Sequence, residues 1–250
     1  MLSSDNYVSN KRSQENIQSL SKVVESNPQD PNALNLRGTA YVKVKRYQEA
    51  LADFSTALKL NPDYYQAYTN RALVYIKLEK RERALADYNQ ALRLAPNYHV
   101  AYIGRGRLYR VQNKVALALS DFTRAIELFG ENPVGYYQRG IVYQSLGQHK
   151  KAEEDFSSAI SLRPNSGQPY FKRGQSRMAL QKHEDAYNDF YVAARTKKGH
   201  YQAWAYRGLA AERMNSYKEA ERAYRRSLST NPSFKPAVEG LKRVERGGQA

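Results

Sequence analysis

The chain has 250 residues, 40 Lys+Arg against 24 Asp+Glu for a net charge of +16, and no cysteine. Disulfide frameworks, thiolate metal sites and cysteine nucleophiles are therefore excluded, and no apolar run reaches the roughly 18–20 residues of a membrane helix. With 41% apolar and 26% charged residues the composition suits a folded chain, and the basic excess raises the question of an anionic partner.

Residues 1–11 are polar, lack the apolar stretch of a secretory signal, and are expected to be disordered. Ile17, Leu20, Val23 and Val24 then form an apolar stripe ahead of Asn27-Pro28, which predicts a capping helix within 12–30. From there one period governs the chain. Gly38, Ala72, Gly106, Gly140, Gly174 and Gly208 stand 34 residues apart. So do Ala50, Ala84, Ala118, Ala152, Ala186 and Ala220, and the aromatics Phe54, Tyr88, Phe122, Phe156, Phe190 and Tyr224. Pro62, Pro96, Pro164 and Pro232 share the frame, with Gly130 and Lys198 in the two remaining places. The result is six gapless repeats: 31–64, 65–98, 99–132, 133–166, 167–200 and 201–234. Ala237, Val238, Leu241 and Val244 mark a closing helix over 235–246, followed by a tail at 247–250.

Each repeat reads as two helices. Leu34, Gly38 and Tyr41 fall on one helical face, as do Ala50, Phe54 and Ala57 on the next. The small residue at repeat position 8 and the Ala at 20 let two backbones approach, and the aromatic at 24 fills the space beside them. The Pro at position 32 ends the second helix. A hairpin with one apolar stripe per helix buries itself only by stacking on its neighbours.

These columns resemble the tetratricopeptide repeat (TPR) family: a large residue at position 4 (Tyr68, Tyr102, Tyr136, Tyr170, Trp204), small at 8, Tyr at 11, Ala at 20, aromatic at 24, Ala at 27 and Pro at 32. The resemblance implies an all-α, right-handed solenoid of six αα-hairpins with a helix at either end, acting as a non-catalytic scaffold without cofactor. Arg-Gly at positions 7 and 8 is similar to many bacterial repeat proteins, NlpI-like envelope lipoproteins among them. The compartment is thus cytoplasmic, or periplasmic if a signal and lipidated Cys were removed. Arg177 and Ala211 in place of the position 11 Tyr, and Ser227 in place of the position 27 Ala, predict less regular packing in the last two repeats.

Charge follows the same columns. Position 7 is Arg in all six repeats (Arg37, Arg71, Arg105, Arg139, Arg173, Arg207), and position 23 is Asp in five (Asp53, Asp87, Asp121, Asp155, Asp189). In an antiparallel hairpin these positions face each other, which predicts Arg–Asp forks rather than a basic ladder. Ala223 stands where the sixth Asp would be, so Arg207 loses that partner. Residues 195–246 hold 13 Lys+Arg and 5 Asp+Glu, half the net charge, including Lys197, Lys198, Arg222, Arg225 and Arg226. This region is a solvated face or binds an anionic partner such as RNA or a membrane surface.

The resemblance further implies that first helices line a concave groove. Its residues turn apolar from the third repeat onward, which points to a peptide or partner helix. Ile103, Tyr137, Ile141, Phe171 and Tyr206 are the expected anchors, with Arg107, Arg110, Lys172 and Arg207 orienting an acidic flank. The two-Lys, two-Asn, Arg carboxylate clamp that one TPR subclass uses for chaperone tails would fall at the positions held here by Asn35, Thr39, Asn70, Val100 and Gly104, of which only Asn70 matches, so chaperone-tail binding through repeats one to three is not expected. His99, His149, His183 and His200 form no metal-ligand pair, and neither phosphate loop nor nucleophile elbow occurs, so no catalytic or metal-binding residue is assigned.

Overall fold

The computed structural model describes residues 4–196 and 200–247, with side chains from residue 12 onward. Among these, all regular structure is helical. A first helix, α1 (Ser4–Ser26), precedes six hairpins. These are α2 (Pro31–Lys43) with α3 (Tyr47–Leu60), α4 (Tyr65–Lys77) with α5 (Arg81–Leu94), and α6 (His99–Val111) with α7 (Val115–Leu128). There follow α8 (Pro133–Ser145) with α9 (His149–Leu162), α10 (Gly167–Ala179) with α11 (His183–Thr196), and α12 (Tyr201–Arg213) with α13 (Tyr217–Leu228). A last helix, α14 (Lys235–Gly247), closes the series. The chain is thus an all-α repeat solenoid, packed as two compact units, Met1–Leu128 and Phe129–Ala250. Helix α1 begins ahead of the 12–30 cap read from the sequence. Of the stretch 1–11 expected to be disordered, residues 1–3 lie outside those described and 4–11 belong to α1, while of the tail at 247–250 all but Gly247 lie outside, as do Lys197 and Lys198. No described helix is long and apolar enough to cross a membrane.

The 34-residue columns explain the packing. The six position 20 alanines are fully buried, and the position 24 aromatics are at most 2% exposed. A Cβ added at Gly38, Gly106, Gly140 or Gly174 would lie 2.7–2.8 Å from the position 24 ring of its own repeat, so the ring occupies the volume that glycine leaves. Pro31 and Pro133 open α2 and α8 at the position where a missing N–H costs nothing, and Asp30 and Asn132 accept from the Asn32 and Val134 amides at 2.8 and 2.9 Å.

The first helix of every repeat ends the same way. Position 15 has positive φ throughout: Lys45, Glu79, Asn113, Gly147, Gln181 and Asn215. In the first repeat the Lys45 amide donates to the Val42 carbonyl and the Arg46 amide to the Tyr41 carbonyl, at 3.1 and 2.9 Å. This is the paired Schellman closure, which reverses the chain into the second helix. The closure outweighs the left-handed cost, about 1 kcal/mol at each non-glycine site.

The last two repeats pack as regularly as the others, contrary to the sequence expectation. Ala211 is fully buried. Ser227 is buried and donates to the Tyr201 carbonyl at 2.8 Å. Arg177 replaces the packing of a tyrosine with ion pairs, to Glu153 at 2.8 Å and Asp189 at 3.0 Å.

Candidate functional site

The arginine column is mostly internal wiring. Arg37, Arg71, Arg105, Arg139 and Arg173 each donate through Nε and Nη2 to the two carboxylate oxygens of the Asp sixteen residues on, at 2.7–3.0 Å. The five aspartates are buried and the forks are bidentate, so these ten side chains orient one helix of each hairpin against the other. Arg71, Arg105 and Arg173 also donate through Nη1 to Ser55, Asn89 and Ser157, tying each repeat to its predecessor.

Arg207 departs from this pattern, as Ala223 requires. Its Nη2 donates to the Tyr187 hydroxyl at 2.7 Å. Its guanidinium lies 4.2 and 4.5 Å from the ring centres of Tyr187 and Tyr191 and 5.4 Å from that of Trp204. Its Nε is buried with no hydrogen-bond partner. Aromatic faces have replaced the carboxylate.

In the N-terminal unit a cleft of about 440 Å³ opens between the first helices α4 and α6. Leu73, Val100 and Val111 are exposed on its apolar walls at 42%, 39% and 59%, which leaves them available to a ligand. Lys77, Arg81 and Arg107 stand exposed around them, against one acidic residue, Glu79. Tyr88 and Gly104 create the depth. A Cβ at Gly104 would lie 2.5–2.6 Å from the Tyr88 ring and hydroxyl. The tyrosine therefore reaches into space vacated by the next repeat. Burial pushes its hydroxyl pKa up to about 12, with the Arg107 charge pulling the other way. Asn70 also borders the cleft, but its amide donates to the Asn35 side chain at 2.9 Å, and Asn35 donates to the Tyr64 hydroxyl at 3.2 Å. The one matching member of a carboxylate clamp is thus committed elsewhere.

The expected anchors divide accordingly. Arg107 and Ile103 both line this cleft, but Ile103 is only 7% exposed and is part of its wall. Arg110 is half-buried, with Nε enclosed and unpartnered. In the C-terminal unit the expected exposed strip is largely packing. Phe171 touches Phe190, His200 and Tyr206, with ring centres 5.7, 5.1 and 5.4 Å apart, because position 5 of one first helix meets position 6 of the next. Tyr137 leans on Phe156 at 5.9 Å, Ile141 is half-buried, and the Lys172 ammonium donates to Gln175 at 3.2 Å. Tyr206 and Arg207 are consecutive on α12 yet serve different neighbours, Phe171 and Tyr187 respectively.

Column-by-column reading missed the Tyr88–Gly104 pair, although a signal existed. Both repeats with Tyr at position 24 are followed sixteen residues later by glycine, Gly104 and Gly240. The four with Phe are followed by Asn70, Gln138, Lys172 and Tyr206. Gly240 has the same relation to Tyr224, a Cβ there falling 2.2 Å from the ring.

Comparison with solved structures supports the fold. The chain is similar to YrrB, described as a TPR protein with an unusual peptide-binding site, at 25% identity and TM-score 0.66, covering 76% of this chain and 97% of that one. Pseudomonas aeruginosa pilF is similar at 15% identity and TM-score 0.77, covering 85% and 97%. A chain of the APC/C hetero-tetramer Cut9-Hcn1 is similar at 18% identity and TM-score 0.76, covering 93% of this chain, which spans under half (46%) of the Cut9-Hcn1 chain. No curated protein sequence matches. Family profiles described as tetratricopeptide repeat match residues 31–64, 65–98, 133–166 and 201–234, each a complete hairpin of the structure. With more than half of its length matched in this way, the chain belongs to the tetratricopeptide repeat family.

Proposed function

We propose that the protein is a non-catalytic interaction scaffold whose N-terminal unit binds an apolar side chain of a partner segment flanked by acidic residues. The observation that carries this reading is the α4–α6 cleft. Exposed apolar walls rarely persist without use, and here three exposed cations surround them. An apolar anchor would enter over Tyr88, while acidic flanks would meet Lys77, Arg81 and Arg107. In the C-terminal unit Tyr137, Ile141 and Lys172 offer a shallower contact, whereas Phe171 and Tyr206 pack on each other. The test is selection from a random peptide library on the full chain, with a Val100→Glu variant in parallel. Val100 is exposed, so the variant should fold normally while placing a like charge against the acidic flanks. Enrichment of one large apolar residue beside Asp or Glu, lost with Val100→Glu, is expected. A pool without consensus, or one recovered equally by the variant, would remove the cleft from the account.

A further inference from the structure

We propose that Arg195, Arg207 and Arg226, arranged around Tyr191 and Trp204, form a binding site for a phosphoryl group on a peptide of a protein partner. This site stands apart from the α4–α6 cleft and does not depend on it.

The starting point is missing counter-charge. Five repeats answer the position 7 arginine with a buried aspartate, and the sixth supplies Ala223. Arg207 is held by Tyr187, Tyr191 and Trp204 instead, with Nε unpartnered. Two further arginines share those rings. Arg195, exposed, lies 5.4 Å from the Tyr191 ring centre and donates to its hydroxyl at 2.6 Å. Arg226, exposed, lies 5.9 Å from the Trp204 ring centre. Among the described residues none of the three forms an ion pair. Nearby arginines do: Arg225 meets Glu221 and Glu245 at 2.8 and 2.9 Å, and Arg243 meets Glu212 at 2.7 Å. Other basic side chains of the region, Arg213 and Arg222 among them, also form no ion pair among the described residues, so what sets the cluster apart is that its three guanidiniums share the Tyr191 and Trp204 rings.

The chemistry of the missing partner follows from charge and shape. Three guanidiniums at one aromatic pair repel each other and present planar forks that suit oxyanions. A carboxylate carries one charge and two oxygens. A phosphoryl group carries about −1.5 to −2 and three acceptor oxygens, which matches three donors better. A single-stranded nucleic acid is the less suitable occupant. Such strands stack bases on open aromatic faces, and here guanidiniums already lie against Tyr191 and Trp204.

Trp204 is the only tryptophan of the chain, so its fluorescence reports on this cluster directly. The experiment titrates the full chain, at constant ionic strength, with a short phosphoserine peptide, the same peptide carrying Glu in place of phosphoserine, and a single-stranded oligouridylate. A saturable change with the phosphopeptide is expected, with affinity about 10-fold above that for the Glu peptide, since each extra charge-assisted hydrogen bond commonly contributes that factor. Arg195→Gln and Arg226→Gln, both at exposed positions, should each weaken binding about 10-fold while leaving Tm unchanged. Ala223→Asp gives Arg207 the internal carboxylate found in the other repeats and should weaken binding to a similar degree in a fully folded protein. Absence of saturable binding, or affinity that survives all three substitutions, overturns the proposal. Equal affinity for the Glu peptide overturns the phosphoryl assignment, and tighter binding of oligouridylate reassigns the site to nucleic acid.

Discussion

Repeats one to five and repeat six solve one problem in two ways. In the first five, a position 7 arginine is neutralised within its own hairpin by a buried carboxylate that takes both prongs of the fork. In the sixth, the carboxylate is gone and the arginine rests on rings contributed largely by α11 of the preceding repeat. The first arrangement completes a repeat internally. The second leaves the arginine without a carboxylate of its own repeat and rests it on Tyr187 and Tyr191 of the preceding one, while the repeat's other side is tied to α14. On that second side, the Tyr224 hydroxyl donates to Glu212 at 2.6 Å, and Glu212 also accepts from Arg243 of α14 at 2.7 and 2.9 Å. The internal forks are structural, and the departure from them is where unassigned chemistry is exposed.

The largest effect is expected where a fork is cut. Asp121→Ala strands the Arg105 guanidinium in a largely buried position, and losing one partner of such a pair costs about 3 kcal/mol. Urea unfolding should show it, and a loss below about 1 kcal/mol would mean that the forks are ornamental. Phe171→Ala should follow at about 2 kcal/mol, since the ring is half-buried against Phe190 and Tyr206. A neutral result there would return Phe171 to the role of free anchor. Arg207→Ala should cost only about 1 kcal/mol, because it removes cation–π contacts without abandoning a buried charge. If it matched Asp121→Ala, the two arrangements would be energetically equivalent and the contrast would fail.

The α14 tie is also pH-dependent. Hydrogen bonding from Arg243 holds the Glu212 carboxyl below its usual range, opposed by burial and assisted by Tyr224. A carboxyl with a lowered folded-state pKa stabilises above its unfolded pKa and loses that contribution as pH falls through the folded value. Amide protection factors in α14, corrected for the intrinsic exchange rate at each pH, should therefore fall on acidification below the ordinary carboxylate range. Glu212→Gln should abolish that fall at a cost of about 1 kcal/mol, limited by the solvent exposure of Arg243.

Much of this was legible in the sequence because the repeat acts as an internal alignment. The Asp column at position 23 and its Ala223 exception predicted both the five forks and the altered fate of Arg207. Two things escaped. The exposure of Phe171 and Tyr206 depends on how one first helix stacks on the next, and a pattern within a single repeat carries no information on that angle. The α4–α6 cleft depends on Tyr88 and Gly104 together, and reading each column separately hides the coupling. The position 15 closures escaped for a further reason: Lys45, Glu79 and Gln181 are poor indicators of a left-handed residue.

The smallest expected effect separates the two arrangements most cleanly. Ala223 is 3% exposed, matching the aspartates of the other repeats at 3–6%, so the site already has the burial that the fork uses. Ala223→Asp asks whether Arg207 prefers a carboxylate to three aromatic faces. The new fork would gain charge-assisted hydrogen bonds, but the carboxylate must be desolvated and the existing π contacts surrendered. These terms nearly cancel, and a stabilisation below about 1 kcal/mol is expected by urea unfolding. A gain above about 2 kcal/mol would mean that the sixth repeat tolerates real strain for its uncompensated arginine. A loss of that size would instead show that Tyr187, Tyr191 and Trp204 hold the guanidinium so far from position 223 that an aspartate there is itself left unpaired.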